Sequence, residues 1–187
     1  MGLLKELDYQ IVTIGELEHA NDLTIDELDK YGFYDDHLAE VEVYLTLAGD
    51  SFGWQNYGGN GHINVPALSL DRLRAFLGYE RATLRDVLRH EYAHAVADTH
   101  RGLMRARRFT EAFVRSHASE VGVEYDKAVH VTPYAAANSG EDFAEVFMKY
   151  LKHGGRIPKR FRTPGIQLKW GFVEALADAI RQGRRRW

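Results

Sequence analysis

The stretch His90-Glu91-Tyr92-Ala93-His94 has the pattern H-E-x-x-H, and the interpretation of the whole chain starts from it. On a helix, His90 and His94 lie on one face, one turn apart. Both imidazoles can then bind one Zn²⁺, while Glu91, one step further round, can reach a water molecule on the metal. Zinc lowers the pKa of such a water to about 7, and a neighbouring carboxylate can take its proton as the water attacks a carbonyl group. The pattern therefore predicts a zinc site with Glu91 as the general base.

The residues around this motif favour a helix from about 83 to 101. Thr83 and Asp86 have the spacing of a capping box. An apolar face is formed by Leu84, Val87, Leu88 and Ala95. Gly102 is expected to end the helix. We therefore expect both histidines to lie well inside a helix.

A catalytic zinc ion usually has three protein ligands, so a third must come from elsewhere in the chain. His100 follows His94 at the spacing of the pattern H-E-x-x-H-x-x-G-x-x-H. In that pattern the helix breaks at the glycine, whose position is taken here by Ala97, and alanine favours helix strongly. If the helix continues, His100 is rotated by about 240° from His94 and cannot reach the same metal.

The other candidate for the third ligand is Glu141. Ser139 and Asp142 form a second capping-box pattern just around it. A helical apolar stripe follows, made of Phe143, Val146, Phe147 and Leu151. Glu141 and Glu145 are then one turn apart on the same face. The first can bind zinc, and the second can accept the free ring N–H of a ligand histidine, so we favour Glu141 over His100.

Taken together, these segments resemble the gluzincin metallopeptidases, in which H-E-x-x-H on one helix is completed by a Glu on a later helix. Residues 90–98, HEYAHAVAD, resemble the motif helix of thermolysin-type enzymes. Residues 134–145, YAAANSGEDFAE, resemble the lethal-factor-type metallopeptidases and related zinc-binding metallopeptidases, which carry a Y-A…E-x-F-A-E arrangement. The resemblance covers residues 87–151.

The resemblance implies a set of roles for individual residues. It makes the ligands of one zinc ion per chain His90, His94 and Glu141. It makes Glu91 the general base, and it implies that Tyr134 donates a hydrogen bond to the negative charge that develops on the substrate oxygen. Glu145 stands where thermolysin-type enzymes have an Asp, and it would orient a ligand histidine.

For function, the resemblance implies zinc-dependent hydrolysis of peptide bonds by a zinc-activated water, with a peptide or protein as substrate. The alternative is a non-proteolytic zinc-binding module, regulatory or interacting, on the same fold. A structural zinc site normally has four protein ligands and has no need of a base, which argues against this alternative. Hydrolysis of a non-peptide amide is a third possibility that these residues leave open.

We expect an α+β, zincin-like fold, in which a small mixed sheet packs on the motif helix. Residues 41–47 and 62–65 are predicted strands, the second ended by Pro66, with a glycine-rich loop at 53–61 between them. Either residues 63–66 or this loop could form an open sheet edge that pairs with an extended substrate. A helix is predicted from Ser69 to Phe76.

The other predicted helices are a short one from Thr24 to Tyr31-Gly32, one over residues 105–117, and a last one over 166–181. The last helix has an apolar face of Leu168, Phe172, Leu176 and Ile180. We expect one domain over residues 1–187. Its N-terminal lobe, 1–101, holds the sheet and the motif helix, and its C-terminal lobe, 102–187, is mostly helical, with zinc in the cleft between them.

Composition limits the classes of protein to which the chain can belong. With 187 residues and 45% apolar content, it can form one sizeable core. No apolar run has the length of a membrane span, so we expect no membrane partner. Met1-Gly2-Leu3-Leu4-Lys5-Glu6 lacks the apolar core of a secretory signal, so the default location is cytoplasmic, with export by another route left open. The absence of cysteine excludes disulfides and thiolate metal sites.

The net charge of −3 hides an uneven distribution. Residues 1–50 carry thirteen acids and two bases, whereas residues 151–187 carry ten bases and two acids. The basic tail, residues 181–186, could bind an acidic partner or nucleic acid. We favour the simpler explanation that the acidic N-terminal segment lies across the basic C-terminal one. A pI near 6.3 is not that of a nucleic-acid binder, so we expect no nucleic-acid partner.

Overall fold

The computed structural model describes residues 11–49, 52–56, 61–69 and 83–187. Within these ranges the chain has six α-helices and one three-stranded mixed sheet, which confirms the α+β class. The helix predicted from Ser69 to Phe76 falls outside them, except for Ser69 itself, which ends a strand. Residues 57–60 of the glycine-rich loop and the acidic residues before Ile11 also lie outside the described ranges.

The elements follow one another in a simple order along the chain. The helices are α1 (Ile14–Tyr31), α2 (Leu84–Thr99), α3 (Arg101–Met104), α4 (Arg107–Phe113), α5 (Ser139–Lys152) and α6 (Pro164–Arg181). The strands, between α1 and α2, are β1 (Glu42–Gly49), β2 (Gly53–Gln55) and β3 (His62–Ser69). Short 3₁₀ turns occur at Leu38–Glu40, Tyr134–Ala136 and Lys159–Phe161.

In the described sheet, β3 lies between the other two strands. It pairs with β1 in parallel and with β2 antiparallel, so that Ile63 is opposite both Val43 and Trp54. The prediction that Pro66 ends this strand is wrong, because β3 continues to Ser69 and Pro66 is in register with Thr46. Pairing with β2 stops at Asn64, and a proline is tolerated where a strand has a partner on one side only.

Helix α2 carries the H-E-x-x-H motif and begins as predicted. The Thr83 hydroxyl accepts a hydrogen bond from the Asp86 N–H, and the Asp86 carboxylate accepts one from the Thr83 N–H. The helix continues through Ala97 and ends at Thr99, so Gly102 does not end it but lies within α3.

Helix α1 is longer than predicted. Thr13 caps it in a capping box with Glu16, so Thr24 lies inside the helix rather than at its start. The buried Thr24 hydroxyl donates to the carbonyl of Ala20 at 2.8 Å, which satisfies this polar side chain within the helix. The predicted end is confirmed, since Gly32 follows the helix with a left-handed φ of 83°.

Helix α5 packs against both α2 and α6, and this position brings Glu141 to the motif. Its cap is Asn138, whose side chain accepts from the Glu141 N–H at 2.9 Å, one residue earlier than the predicted start at Ser139. The predicted apolar stripe is fully buried and comprises Phe143, Val146, Phe147 and Leu151. Phe147 packs on Phe33, with 4.6 Å between ring centroids, which ties α5 to the segment after α1.

The remaining helices differ in detail from the predictions. Instead of one helix over 105–117, the chain forms α3 and α4, and α4 ends at Phe113, followed by Val114 with a left-handed φ of 68°. Helix α6 begins at Pro164, after the capping residue Thr163. Leu168 is 61% exposed, so the predicted apolar face is wrong there; the core side of α6 includes Trp170 and Val173 instead.

The acidic N-terminal segment does not pair with the basic tail in the described part of the chain. Glu27 forms ion pairs with Arg85 and Arg89 of α2 instead. Between residues 11–49 and the tail, the described contacts include a hydrogen bond from Arg181 to the carbonyl of Tyr31, but no ion pair. In the described residues the two segments do meet, at Tyr31 and Arg181, but no ion pair joins them there, so the expected charge pairing stays a prediction. None of the described helices combines the length and apolar character needed to cross a bilayer.

Candidate metal centre

Helices α2 and α5 bring together His90, His94 and Glu141. The two Nε2 atoms are 3.2 Å apart. Oε2 of Glu141 lies 3.0 Å from Nε2 of His90 and 3.6 Å from Nε2 of His94. One possible ligand atom from each residue lies within 4.8 Å of the other two. These are the three residues predicted from the sequence as the zinc ligands.

The three side chains are arranged to bind a metal ion rather than to form hydrogen bonds with one another. Oε2 of Glu141 is buried and accepts no hydrogen bond, although both imidazoles are beside it. A buried carboxylate oxygen that accepts no hydrogen bond is rare, and here its charge is compensated only through the two imidazoles beside it. A cation between the three groups would satisfy it, and two imidazole nitrogens with one carboxylate oxygen are a ligand set that zinc accepts.

The electrostatics of the cluster favour positive charge. Burial opposes the charged form of His90, but its contacts with Glu141 and Glu145 raise its pKa to about 10. Burial also opposes the charged form of Glu141, yet the adjacent His90 and His94 lower its pKa well below the usual range. The carboxylates thus stabilise positive charge at this position, as a site for a divalent cation requires.

Glu145 connects His90 to the rest of the fold. Its Oε1 lies 2.9 Å from Nδ1 of His90, on the side of the ring that faces away from the cluster. Its Oε2 accepts a hydrogen bond from the Thr132 hydroxyl at 2.7 Å. The same hydroxyl accepts from the N–H of Ala135, in the turn that carries Tyr134. The sequence patterns missed Thr132, because no motif marks a contact made by a loop residue.

Glu91 lies at the edge of the sheet. Its buried Oε2 accepts a hydrogen bond from the backbone N–H of Trp54 in β2 at 2.8 Å. Since Trp54 donates to Glu91 rather than to β3, its N–H faces the open side of β2. Of the two predicted sheet edges, residues 63–66 belong to the central strand β3, whereas residues 53–55 form β2, one of the two edge strands of the described sheet. Sequence reasoning missed this contact because any residue could supply the N–H.

Tyr134 lies beside the cluster, in the 3₁₀ turn before α5. Its ring centroid is 5.9 Å from that of His90, and 56% of the residue is exposed. Partial burial and the negative charges of Glu141 and Glu91 raise its pKa to about 12. The phenol is therefore protonated at neutral pH and can donate a hydrogen bond to a molecule bound at the cluster.

His100, the alternative ligand, is not part of this cluster. Because α2 continues through Ala97, the His100 side chain is directed elsewhere, with Nε2 3.1 Å from Oδ2 of Asp35 and Nδ1 3.1 Å from the carbonyl of Val96. Burial lowers its pKa despite the neighbouring Asp35. The histidine is held as a buried structural residue.

Two cavities are lined by the cluster or by residues next to it. One, of about 410 Å³, is lined by His94, Trp54 and His117, among others. The other, of about 1150 Å³, is lined by Tyr134, Glu145 and Thr132. A molecule in either cavity would therefore lie beside residues of the candidate site.

His117 in the smaller cavity has an unusual environment. Its ring packs against Phe109 and Phe143, and its buried Nε2 has no hydrogen-bond partner. Burial, with a smaller effect from His94, lowers its pKa to about 4. The imidazole is therefore neutral at physiological pH.

Comparison with family models, curated proteins and solved structures gives no match for this chain. The assignment of a function consequently depends on the residues of the cluster, their distances and their charges.

Proposed function

We propose that this chain is a zinc-dependent metallopeptidase of gluzincin type, with a zincin-like fold, that hydrolyses peptide bonds in peptides or proteins. The observation that carries the proposal is the position of Glu141 Oε2, which is buried, accepts no hydrogen bond and lies 3.0 and 3.6 Å from the imidazole nitrogens of the two motif histidines. Ligands from α2 and α5 would hold one zinc ion between the two helices.

The neighbouring side chains support a hydrolytic role. Zinc, when bound by these ligands, supplies Lewis acidity and lowers the pKa of water so that it becomes a nucleophile near neutral pH. Glu91 would accept the proton of that water as general base. Tyr134 would donate a hydrogen bond to the oxygen on which negative charge develops. Glu145 would hold the His90 ring in the orientation and tautomer that leave Nε2 free for the metal.

The sheet edge supports a polypeptide as the substrate. An extended peptide can add to an open edge strand through main-chain hydrogen bonds, which select for backbone rather than for one side chain. Strand β2 is such an edge in the described sheet, and its Trp54 N–H is held by Glu91. A peptide bound along β2 would therefore pass close to the proposed base.

The number of protein ligands distinguishes a catalytic zinc site from a purely structural one. Among the described residues, the group able to hold a metal has three members, whereas a structural zinc ion is normally enclosed by four protein ligands. A coordination position left for water or substrate is what catalysis requires. A structural site also has no need of a general base, the role proposed for Glu91 beside the group.

The first test is the zinc content of the purified protein by elemental analysis. We expect one zinc per chain in the wild type and a marked loss in Glu141→Ala. The matched control is Glu174→Ala, which removes an exposed carboxylate from α6 and should keep its zinc. Equal zinc in wild type and Glu141→Ala would remove Glu141 from the site, and no zinc even after supplementation would reject the site itself.

The second test asks for peptide-bond hydrolysis directly. The zinc-loaded wild type is incubated with a mixed peptide library, and new termini are identified by mass spectrometry, with and without a chelator. We expect cleavage that the chelator abolishes and zinc restores. Stoichiometric zinc without any cleavage would favour the binding module over the peptidase.

A further inference from the structure

The basic tail, residues 181–186, and the following Trp187 are packed on α3 and α4. The indole N–H of Trp187 donates to the carbonyl of Leu103 at 2.9 Å, and the Arg108 guanidinium lies 4.5 Å from the centre of the Trp187 ring. The Arg185 carbonyl approaches Gly102 so closely that a Cβ atom at this glycine would be 2.2 Å from its oxygen. The tail therefore has a defined position on the fold.

This packing joins two runs of arginine that are distant in the sequence. We name the result the arginine surface: it consists of Arg101, Arg105, Arg108, Arg184, Arg185 and Arg186, all exposed. Within the described part of the chain, one of these six arginines forms an ion pair: Arg101, with Asp98. Concentrating this much positive charge on one face of a chain with a net charge of −3 costs repulsion, which an anionic partner would relieve.

The arginine surface reaches the candidate metal centre. The 410 Å³ cavity that is lined by His94 is also lined by Arg101 and Arg105. Asp98 holds Arg101, whereas no described acidic group pairs with Arg105. Arg105 is thus a free positive charge in the same cavity as a proposed zinc ligand.

We propose that the arginine surface binds an acidic segment of a protein substrate, and that Arg105 pairs with an acidic side chain close to the cleaved bond. This inference rests on the proposed function and names its substrate class. Arginine suits this role because its planar guanidinium donates two parallel hydrogen bonds to a carboxylate. The continuity of the surface with the cavity favours an acidic polypeptide over a nucleic acid, since the cavity leads to a site for peptide hydrolysis.

Binding can be measured separately from cleavage. The probe is a fluorescein-labelled peptide rich in Glu and Asp, added to the full-length Glu91→Gln chain, with fluorescence anisotropy as the readout. A second peptide with Gln and Asn in place of the acids, and a single-stranded DNA oligonucleotide, are measured in parallel. We expect the acidic peptide to bind tightest, with an affinity that falls as ionic strength rises to about 0.15 M.

The matched variants reverse the same number of charges at two places. In the Glu91→Gln background, Arg184→Glu with Arg186→Glu should weaken binding of the acidic peptide by about tenfold or more. Arg156→Glu with Arg160→Glu, exposed positions outside the arginine surface, should change binding by less than about twofold. Equal effects of the two pairs, equal binding of the neutral peptide, or tighter binding of the DNA would each overturn the proposal. Circular dichroism confirms that each variant is folded.

The role of Arg105 is tested by cleavage with zinc-loaded enzyme carrying Glu91. Relative to wild type, Arg105→Ala should lower kcat/KM for acidic peptides by about tenfold and leave neutral peptides nearly unchanged. Loss on both kinds of peptide, or on neither, would reject Arg105 as a specificity residue.

If no peptide is cleaved but the arginine surface binds the acidic probe as expected, the proposed function fails and the binding surface stands. If acidic and neutral peptides are cleaved with the same kcat/KM, the proposed function stands and this inference is overturned.

Discussion

Oε1 of Glu145 lies 2.9 Å from Nδ1 of His90, so the carboxylate is placed to accept the ring N–H that remains when Nε2 binds a metal. The same carboxylate is held at its other oxygen by Thr132. His90 is thereby fixed in ring orientation by two residues that are not themselves candidate ligands, with Nδ1 as the nitrogen that would keep its proton when Nε2 binds a metal. Such partners make a ligand histidine more basic and pre-orient it for zinc.

From this relationship we expect Glu145→Ala to weaken zinc binding by about 10- to 100-fold, the usual cost of losing such a partner. The dissociation constant is measured by competition with a chromophoric chelator. Glu174→Ala serves as the control, because it removes an exposed carboxylate on α6 that is not part of the metal site. Unchanged affinity in Glu145→Ala would show that the contact with His90 does not support metal binding.

Substitution of Glu91 by Gln separates catalysis from metal binding. The amide oxygen of Gln can still accept the hydrogen bond from the Trp54 N–H, so the sheet edge should be preserved, but an amide cannot accept a proton as a base. We expect kcat to fall by about 10²- to 10⁴-fold with zinc content unchanged. Activity close to that of the wild type would contradict the role of Glu91, and a loss of zinc would show that its contribution is structural.

Tyr134→Phe tests the proposed donor to the developing oxyanion. The phenol is partly exposed and stays protonated because its pKa is raised to about 12, so removal of the hydroxyl deletes a donor without creating a buried cavity. We expect kcat to fall by roughly 10- to 1000-fold while zinc content and thermal stability stay the same. Tyr44→Phe, a partly exposed tyrosine on β1, is the control and should retain full activity. An unchanged rate in Tyr134→Phe would remove this residue from the mechanism.

The sequence predicted the parts of the fold that depend on short-range patterns. The capping box at Thr83 and the buried stripe of α5 follow from local spacing, and the structure confirms both. The juxtaposition of Glu141 with the motif histidines depends on how α5 packs against α2. The need for a third ligand and the resemblance to gluzincins suggested that pairing, because spacing within either segment could not.

What the sequence did not predict are contacts between distant segments. Trp54 reaches Glu91 through a backbone N–H, and a backbone donor has no residue signature. Thr132 reaches Glu145 from a loop without regular structure. The packing of the tail on α3 and α4 through Trp187 was not predicted either. Net charge along the chain says which segments can attract each other but not which ones fold together.

The buried ion pair between Lys169 and Asp142 connects α6 to α5 directly behind Glu141. Their charged atoms are 2.6 Å apart, and both side chains are 3% exposed. Lys169→Met would leave the Asp142 carboxylate buried without its partner, so we expect the free energy of unfolding to fall by about 3–5 kcal/mol. Urea denaturation of the metal-free chain measures this.

The double variant Lys169→Met with Asp142→Asn removes both charges. We expect it to be more stable than Lys169→Met alone, since most of the cost comes from the unpaired carboxylate. If the two variants are equally unstable, lost packing of the Lys169 side chain, rather than uncompensated charge, is responsible.

His117 should make the stability of the metal-free chain sensitive to acid. Burial and the neighbouring His94 lower its pKa from an ordinary value near 6.5 to about 4. Between these two pH values the unfolded chain binds a proton at this residue and the folded chain does not, so stability falls as the pH drops through this window. The residue contributes at most about 1.4 kcal/mol per pH unit to this dependence.

The measurement is the free energy of unfolding by urea at several pH values between about 4 and 7, for wild type and His117→Phe. Phenylalanine keeps an aromatic ring against Phe109 and Phe143 but cannot bind a proton. We expect the variant to lose less stability on acidification than the wild type. His19→Gln, at an exposed position, should keep the wild-type slope. Identical slopes for His117→Phe and wild type would mean that His117 binds a proton as readily in the folded chain as in the unfolded chain. Its ring would then not be held neutral beside the candidate site.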